Sequence, residues 1–174
     1  MAVEVLERGV SAARLAGRLA ALLPPPAAVV TMGSPWRGDD ALGMAVAAEL
    51  GPQPPDRLFN VETAPESYLV PIARCGARSC ILVDALDAAR SAGDILLLDP
   101  EDLEHADFTT HGLSTKAFLQ ALRDASGMRL LVLGVQPGTC RQGETLSAEV
   151  AAAARTVAEA IGLFQAQGRC RRHG

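Results

Sequence analysis

The stretch AVVTMGSPWRGDDAL, residues 28–42, decides how the rest of the chain is read. AVVTM (28–32) is continuously apolar and short, the pattern of a strand buried on both faces. Gly33 ends it, GSPWRGDD (33–40) forms a loop, and a helix follows over about 41–50. A turn rich in glycine and proline comes next, at Gly51, Pro52, Pro54 and Pro55. RLFNV (57–61) then reads as a second strand and about 65–75 as a helix. CILVDA (80–85) is a third strand, again apolar up to Asp84. Strands alternating with helices imply right-handed crossovers and a parallel sheet covered on both sides.

DILLLD (94–99) breaks that rhythm. Only the short segment 86–93 separates it from the third strand, too little for a parallel crossover. It is therefore expected to run antiparallel, at an edge. A helix over about 114–125, a parallel strand RLLVLGV (129–135) and a helix over about 147–164 complete the pattern. The reading is a single three-layer α/β domain. Its mostly parallel twisted sheet has about five strands, one of them an antiparallel edge strand, with helices on both faces.

Upstream, Leu6, Val10, Leu15, Leu19, Leu22 and Leu23 recur among charges at helical spacing, predicting a helix over about 4–23 that Pro24, Pro25 and Pro26 stop. The chain thus divides into this helix and proline turn (1–26), the main domain (27–165) and a basic, flexible tail (166–174). The first 26 residues lack the unbroken apolar core of a signal peptide, and no stretch reaches the roughly 18 apolar residues of a membrane span. A cytoplasmic monomer with no membrane partner is expected.

Composition narrows the function classes. The 174 residues are 49% hydrophobic but only 3% aromatic, so the core is built from aliphatic side chains. A net charge of −4 without a basic patch argues against nucleic acid. The four cysteines, Cys75, Cys80, Cys140 and Cys170, form no C-x-x-C pair, which argues against structural zinc and suits reduced thiols.

In an open parallel sheet, ligands gather outside the carboxyl ends of the strands. That rule selects the loop after the first strand, Asp84 at the end of the third, and the loop after the last. Gly33 and Gly38 have the glycine spacing of a P-loop, but Asp39 and Asp40 follow where a lysine and a hydroxyl are needed. Two carboxylates repel phosphate and attract cations, so no nucleotide is expected. One of the two satisfies the local need for a helix cap. The second is surplus to that need, and the spacing alone leaves open whether it is Asp39 or Asp40. His111 stands in FTTHGLST, ahead of an amphipathic helix whose Leu113, Phe118, Leu119 and Leu122 face inward. The surplus aspartate, together with Asp84 and His111, makes up the candidate catalytic and metal-contacting group. Two carboxylates and an imidazole suit zinc, nickel, iron or manganese and leave coordination positions open. Metal-free acid and base work by the paired carboxylates is the other possibility.

Seven blocks carry a resemblance: GSPWRGDDALG (33–43), TAPESYL (63–69), VDA (83–85), GDILLLDPEDL (93–103), TTHGLS (109–114), LGVQP (133–137) and LSAEV (146–150). In this order they resemble the nickel–iron hydrogenase maturation endopeptidases, most closely the hydrogenase-3 type. The likeness covers about 28–163. It implies an aspartyl-type endopeptidase that trims the C-terminal extension of a nickel-loaded hydrogenase large-subunit precursor. The family's metal-contacting residues fall on Asp40, Asp84 and His111, which leaves Asp39 the capping or supporting role. The resemblance also implies that nickel arrives in the substrate rather than residing in the enzyme. Ser34 departs from the usual G-N after the first strand, and Val61 and Glu62 stand near a turn that is commonly glycine-containing. The N-terminal helix is an addition relative to the shortest members. The same fold could also serve a non-catalytic, metal-sensing maturation chaperone or a metal-activated hydrolase of small substrates.

Overall fold

The chain is described by a computed structural model over residues 4–6, 9–51, 57–105, 107–108 and 112–170, with side chains omitted at 104–105, 107–108, 112–114 and 169–170. In chain order the elements are β1 (Glu4–Leu6), α1 (Ala12–Leu22), β2 (Ala27–Met32), α2 (Leu42–Glu49), β3 (Leu58–Glu62) and α3 (Leu69–Ala73). They continue with β4 (Ser79–Asp87), β5 (Ile95–Leu98), β6 (Asp107–Phe108), α4 (Gly112–Ser126), β7 (Arg129–Val135) and α5 (Ala148–Cys170). Short 3₁₀ turns, Gly38–Ala41 and Pro65–Tyr68, lead into α2 and α3.

The sheet order is β1-β5-β7-β4-β2-β3, with β6 pairing β4 beyond the end of the main ladder. β3, β2, β4 and β7 run parallel. β5 runs antiparallel to β7, as its short connection to β4 requires. β1 pairs antiparallel on the outer side of β5. Residues 4–6 are therefore a strand where helical spacing predicted the start of a helix. Gly9, at φ +88°, turns the chain, and Ser11 caps α1 by accepting the Arg14 N–H at 3.3 Å.

Side chains alternate across the strands and build two cores. On one face Val29, Ile81, Val83, Leu97, Leu131 and Leu133 meet α1, α2 and α5. On the other, Val30, Leu82, Leu86, Leu96 and Val132 meet α3 and α4. The N-terminal strand and helix share the first core, since Leu6, Leu15 and Leu19 are buried in it. Gly43 lets α2 lie directly on β2, because any Cβ there would strike the Met32 backbone. α5 continues to Cys170, past both the expected end at 164 and the start of the expected tail. Residues 171–174 lie outside the described residues.

β2 passes through α2 to β3 on one side, and the chain then returns to place β4 on the other side of β2. The strand order thus reverses between β2 and β4. In open α/β sheets the crevice outside the carboxyl ends at such a switch point is where ligands bind.

Candidate functional site

Asp84 occupies a core position. It lies between Leu82 and Leu86 on the apolar face covered by α3 and α4, and only 4% of it is exposed. Its Oδ1 accepts the Ala85 N–H at 2.8 Å. Burial pushes its carboxyl up to about 8, and the negative field of Asp40 adds to the effect. The Ala85 N–H pulls weakly the other way. Asp84 therefore stays neutral through much of the physiological range. Asp84 lies on β4 and Asp40 in the turn that follows β2, the two strands flanking the switch point, and they interact electrostatically.

The loop that carries Asp40 is closed by short-range bonds. The Ser34 N–H donates to the Asp40 carbonyl at 3.1 Å and to its Oδ2 at 3.1 Å, and the Asp40 N–H donates to the Arg37 carbonyl at 3.1 Å. Ser34 thus meets the carboxylate through its backbone N–H. Gly33 has φ +132°, and a Cβ there would land on the Asp40 carbonyl oxygen. Only glycine allows the loop to fold so tightly. The Gly33 N–H donates to the Glu62 carbonyl at 3.0 Å, and Glu62 itself adopts φ +51°. The position where a glycine was expected is left-handed after all, and a glutamate holds it.

Asp39 and Asp40 are both fully buried but do different work. Asp39 makes no cap to α2. Its Oδ2 accepts the Gly138 N–H at 2.7 Å, the Thr139 N–H at 3.1 Å and the Ser147 hydroxyl at 2.9 Å, while Oδ1 accepts the Ser147 N–H at 2.6 Å. The supporting role expected for Asp39 is present, aimed at the loop before α5 rather than at its own helix. Backbone bonds reinforce it, from the Asp39 N–H to the Thr139 carbonyl and from the Gly38 N–H to the Glu144 carbonyl.

Gln136 is a residue that sequence reasoning passed over. Its Oε1 accepts the Ala88 and Arg90 N–H groups at 2.8 and 3.1 Å, and its Nε2 donates to Asp87 Oδ1 at 3.1 Å. It fixes the segment leaving β4, just beyond Asp84. The Ala89 N–H and the Gln136 amide together hold the Asp87 carboxyl below its usual range. The signal that could have found Gln136 is the one that singled out Asp84, a polar side chain closing a fully apolar strand.

His111 lies outside the described residues. α4, whose first residue is the neighbouring Gly112, packs on the same sheet face as Asp84. Among the described residues, no group of three or more His, Cys, Asp and Glu side chains is arranged to hold a metal ion. What the described residues provide is two buried carboxyl groups at a switch point, Asp84 neutral below about pH 8 and Asp40 beside it. Such a pair can donate and accept protons, or offer hard oxygen ligands to a cation once Asp84 gives up its proton.

Known proteins resemble this chain in sequence and in fold. The family model for hydrogenase maturation protease of the HycI type matches residues 46–162, a span that includes Asp84 and His111 but begins after Asp40. The hydrogenase 3 maturation protease of Escherichia coli K12 is 28% identical over 112 residues, covering 63% of this chain and 71% of that protein. Among solved structures, the [NiFe] hydrogenase maturation protease HycI from Thermococcus kodakarensis superposes with a TM-score of 0.72. It is 24% identical and covers 87% of this chain and 99% of its own. The Escherichia coli endopeptidase HycI gives a TM-score of 0.69 at 24% identity, covering 78% of this chain and 88% of its own. These structures share the fold. Also, no described helix is long and apolar enough to cross a membrane. The family match spans well over half of the sequence, and this chain belongs to the hydrogenase maturation protease family.

Proposed function

We propose that this protein removes the C-terminal extension of a nickel-loaded hydrogenase large-subunit precursor, with Asp40, Asp84 and His111 as the residues that meet the metal and the scissile peptide. The observation that carries the reading is the pair of buried carboxyl groups, Asp40 and Asp84, at the switch point of a family protease. Nickel belongs to the substrate in this scheme. It arrives bound to the precursor, and its open side faces the two carboxyl groups and the imidazole.

Hydrolysis needs a water oxygen joined to the carbonyl carbon, the C–N bond broken, and a proton delivered to the departing amine. A carboxylate at Asp40 accepts the proton of the attacking water, and the neutral carboxyl of Asp84 has a proton to give. The substrate's metal polarises the carbonyl or the water. Aspartyl-type chemistry and metal recognition are thereby two uses of one carboxylate pair. The test is trimming of a nickel-loaded precursor, followed by gel shift and mass, with the Asp40→Asn and His111→Ala variants. Both are expected to bind precursor and leave it uncut. Full activity in both would remove these residues from the mechanism.

A further inference from the structure

The described residues expose four large hydrophobic side chains, Trp36, Tyr68, Val70 and Leu163. Three of them sit on segments leaving the carboxyl ends of β2 and β3, adjacent parallel strands beside the switch point. Isolated exposed hydrophobics are ordinary, but their concentration on the rim that carries the site is not. Trp36 stands out. It is the sole tryptophan of the chain, 73% exposed, and it lies four residues before Asp40 in the same loop.

That loop is stiff. Its Trp36 carbonyl accepts the Gly143 N–H at 2.8 Å, the adjacent Arg37 carbonyl accepts the Asp40 N–H, and Gly38 and Asp39 are bonded to Glu144 and Thr139. The indole buries little in this chain, so the structure gives it no packing role. An aromatic ring presented on a rigid backbone loses little entropy when it is covered, which is why tryptophan is frequent among residues that dominate interfaces. A protease must also hold the extended chain on either side of the bond it cuts, and Trp36 belongs to the same loop as Asp40.

Resting on the maturation-protease reading, we propose that Trp36 is a specificity-determining residue, packing on an apolar side chain of the precursor segment that flanks the scissile bond. The occupant is that extended peptide, not a second copy of this chain. The experiment uses the full chain with 5-fluorotryptophan at its single tryptophan, so that one ¹⁹F resonance reports on position 36. Unlabelled nickel-loaded precursor should shift the resonance, and the already trimmed large subunit should shift it much less. In trimming assays Trp36→Ala should raise KM about 10- to 30-fold with kcat within about twofold, and Trp36→Phe should recover most of the loss. Three results would overturn the proposal: an unmoved resonance during trimming, an unchanged KM for Trp36→Ala, or a shift that follows the concentration of this chain without precursor. Failure of the unsubstituted protein to trim any precursor would refute the parent reading, and this inference with it.

Discussion

Replacing Asp84 by Asn should stabilise the protein, and by an amount that grows with pH. Asp84 is ionised in the unfolded chain above its ordinary value near 3.8 but stays protonated in the fold up to about 8. Between those limits the folded state binds a proton that the unfolded state lacks, so stability falls as pH rises. Below the lower limit there is no penalty, and above the upper one it is constant. Each pH unit in the window is about 1.4 kcal/mol, so at pH 7 the cost is on the order of 4 kcal/mol. Asn keeps the oxygen that accepts the Ala85 N–H and removes the titration. The assay is urea unfolding at pH 5, 6, 7 and 8 with a chelator present. Far-ultraviolet circular dichroism is the signal, because exposed Trp36 reports poorly on folding. The variant's advantage should widen steadily to about pH 8 and then level. Parallel curves for the two proteins would refute the elevated carboxyl and the burial that causes it. The same variant should leave precursor uncut, so the stability gain and the loss of function would appear together.

Three further outcomes follow from neighbouring geometry. Asp39→Ala strands the N–H groups of Gly138, Thr139 and Ser147, and should cost about 2–4 kcal/mol in urea unfolding. Asp39→Asn should cost nearly as much, because its amide group would face donors. Gly33→Ala drives a methyl into the Asp40 carbonyl, and the displaced loop should reduce precursor trimming by about 100-fold or more in a steady-state assay. Glu62→Gly removes a left-handed non-glycine residue, and should raise the unfolding free energy by about 0.5–1 kcal/mol after the extra freedom of unfolded glycine is subtracted.

Much of the fold is legible in local pattern. AVVTM, CILVDA and RLLVLGV are continuously apolar because both sheet faces are covered, and DILLLD follows β4 too closely to be parallel. β1 was not legible, since three residues carry no measurable period and its pairing partner on β5 is about 90 residues away, Leu6 opposite Ile95 and Glu4 opposite Leu97. The leucine spacing of α1 ran on into it and hid the turn at Gly9. The two-residue β6 carries no signal of its own either. For the site, the strand-end rule pointed to the loop after β2 and to Asp84, which the structure sets at the switch point, while the choice of Asp40 over Asp39 rested on the family resemblance. Asp39's partners are about 100 residues distant, so its role depends on tertiary contacts that no spacing encodes. Glu62 was legible only as a residue standing where a glycine was expected.

Asp39 and Asp84 show two ways in which this fold tolerates a buried carboxyl group. Burying a charge is costly unless donors compensate it. Asp39 meets that requirement fully, with three N–H groups and a hydroxyl around its two oxygens, at the end where α5 begins. Asp84 meets it differently, by remaining neutral. On the proposed function, a cation that displaced the Asp84 proton would meet the carboxyl oxygens of Asp40 and Asp84, which accept the Ser34 and Ala85 N–H groups respectively. A metal delivered by a substrate would gain that contact only when the substrate is seated. On the proposed function the carboxylates would act as a check on loading rather than as a store of metal.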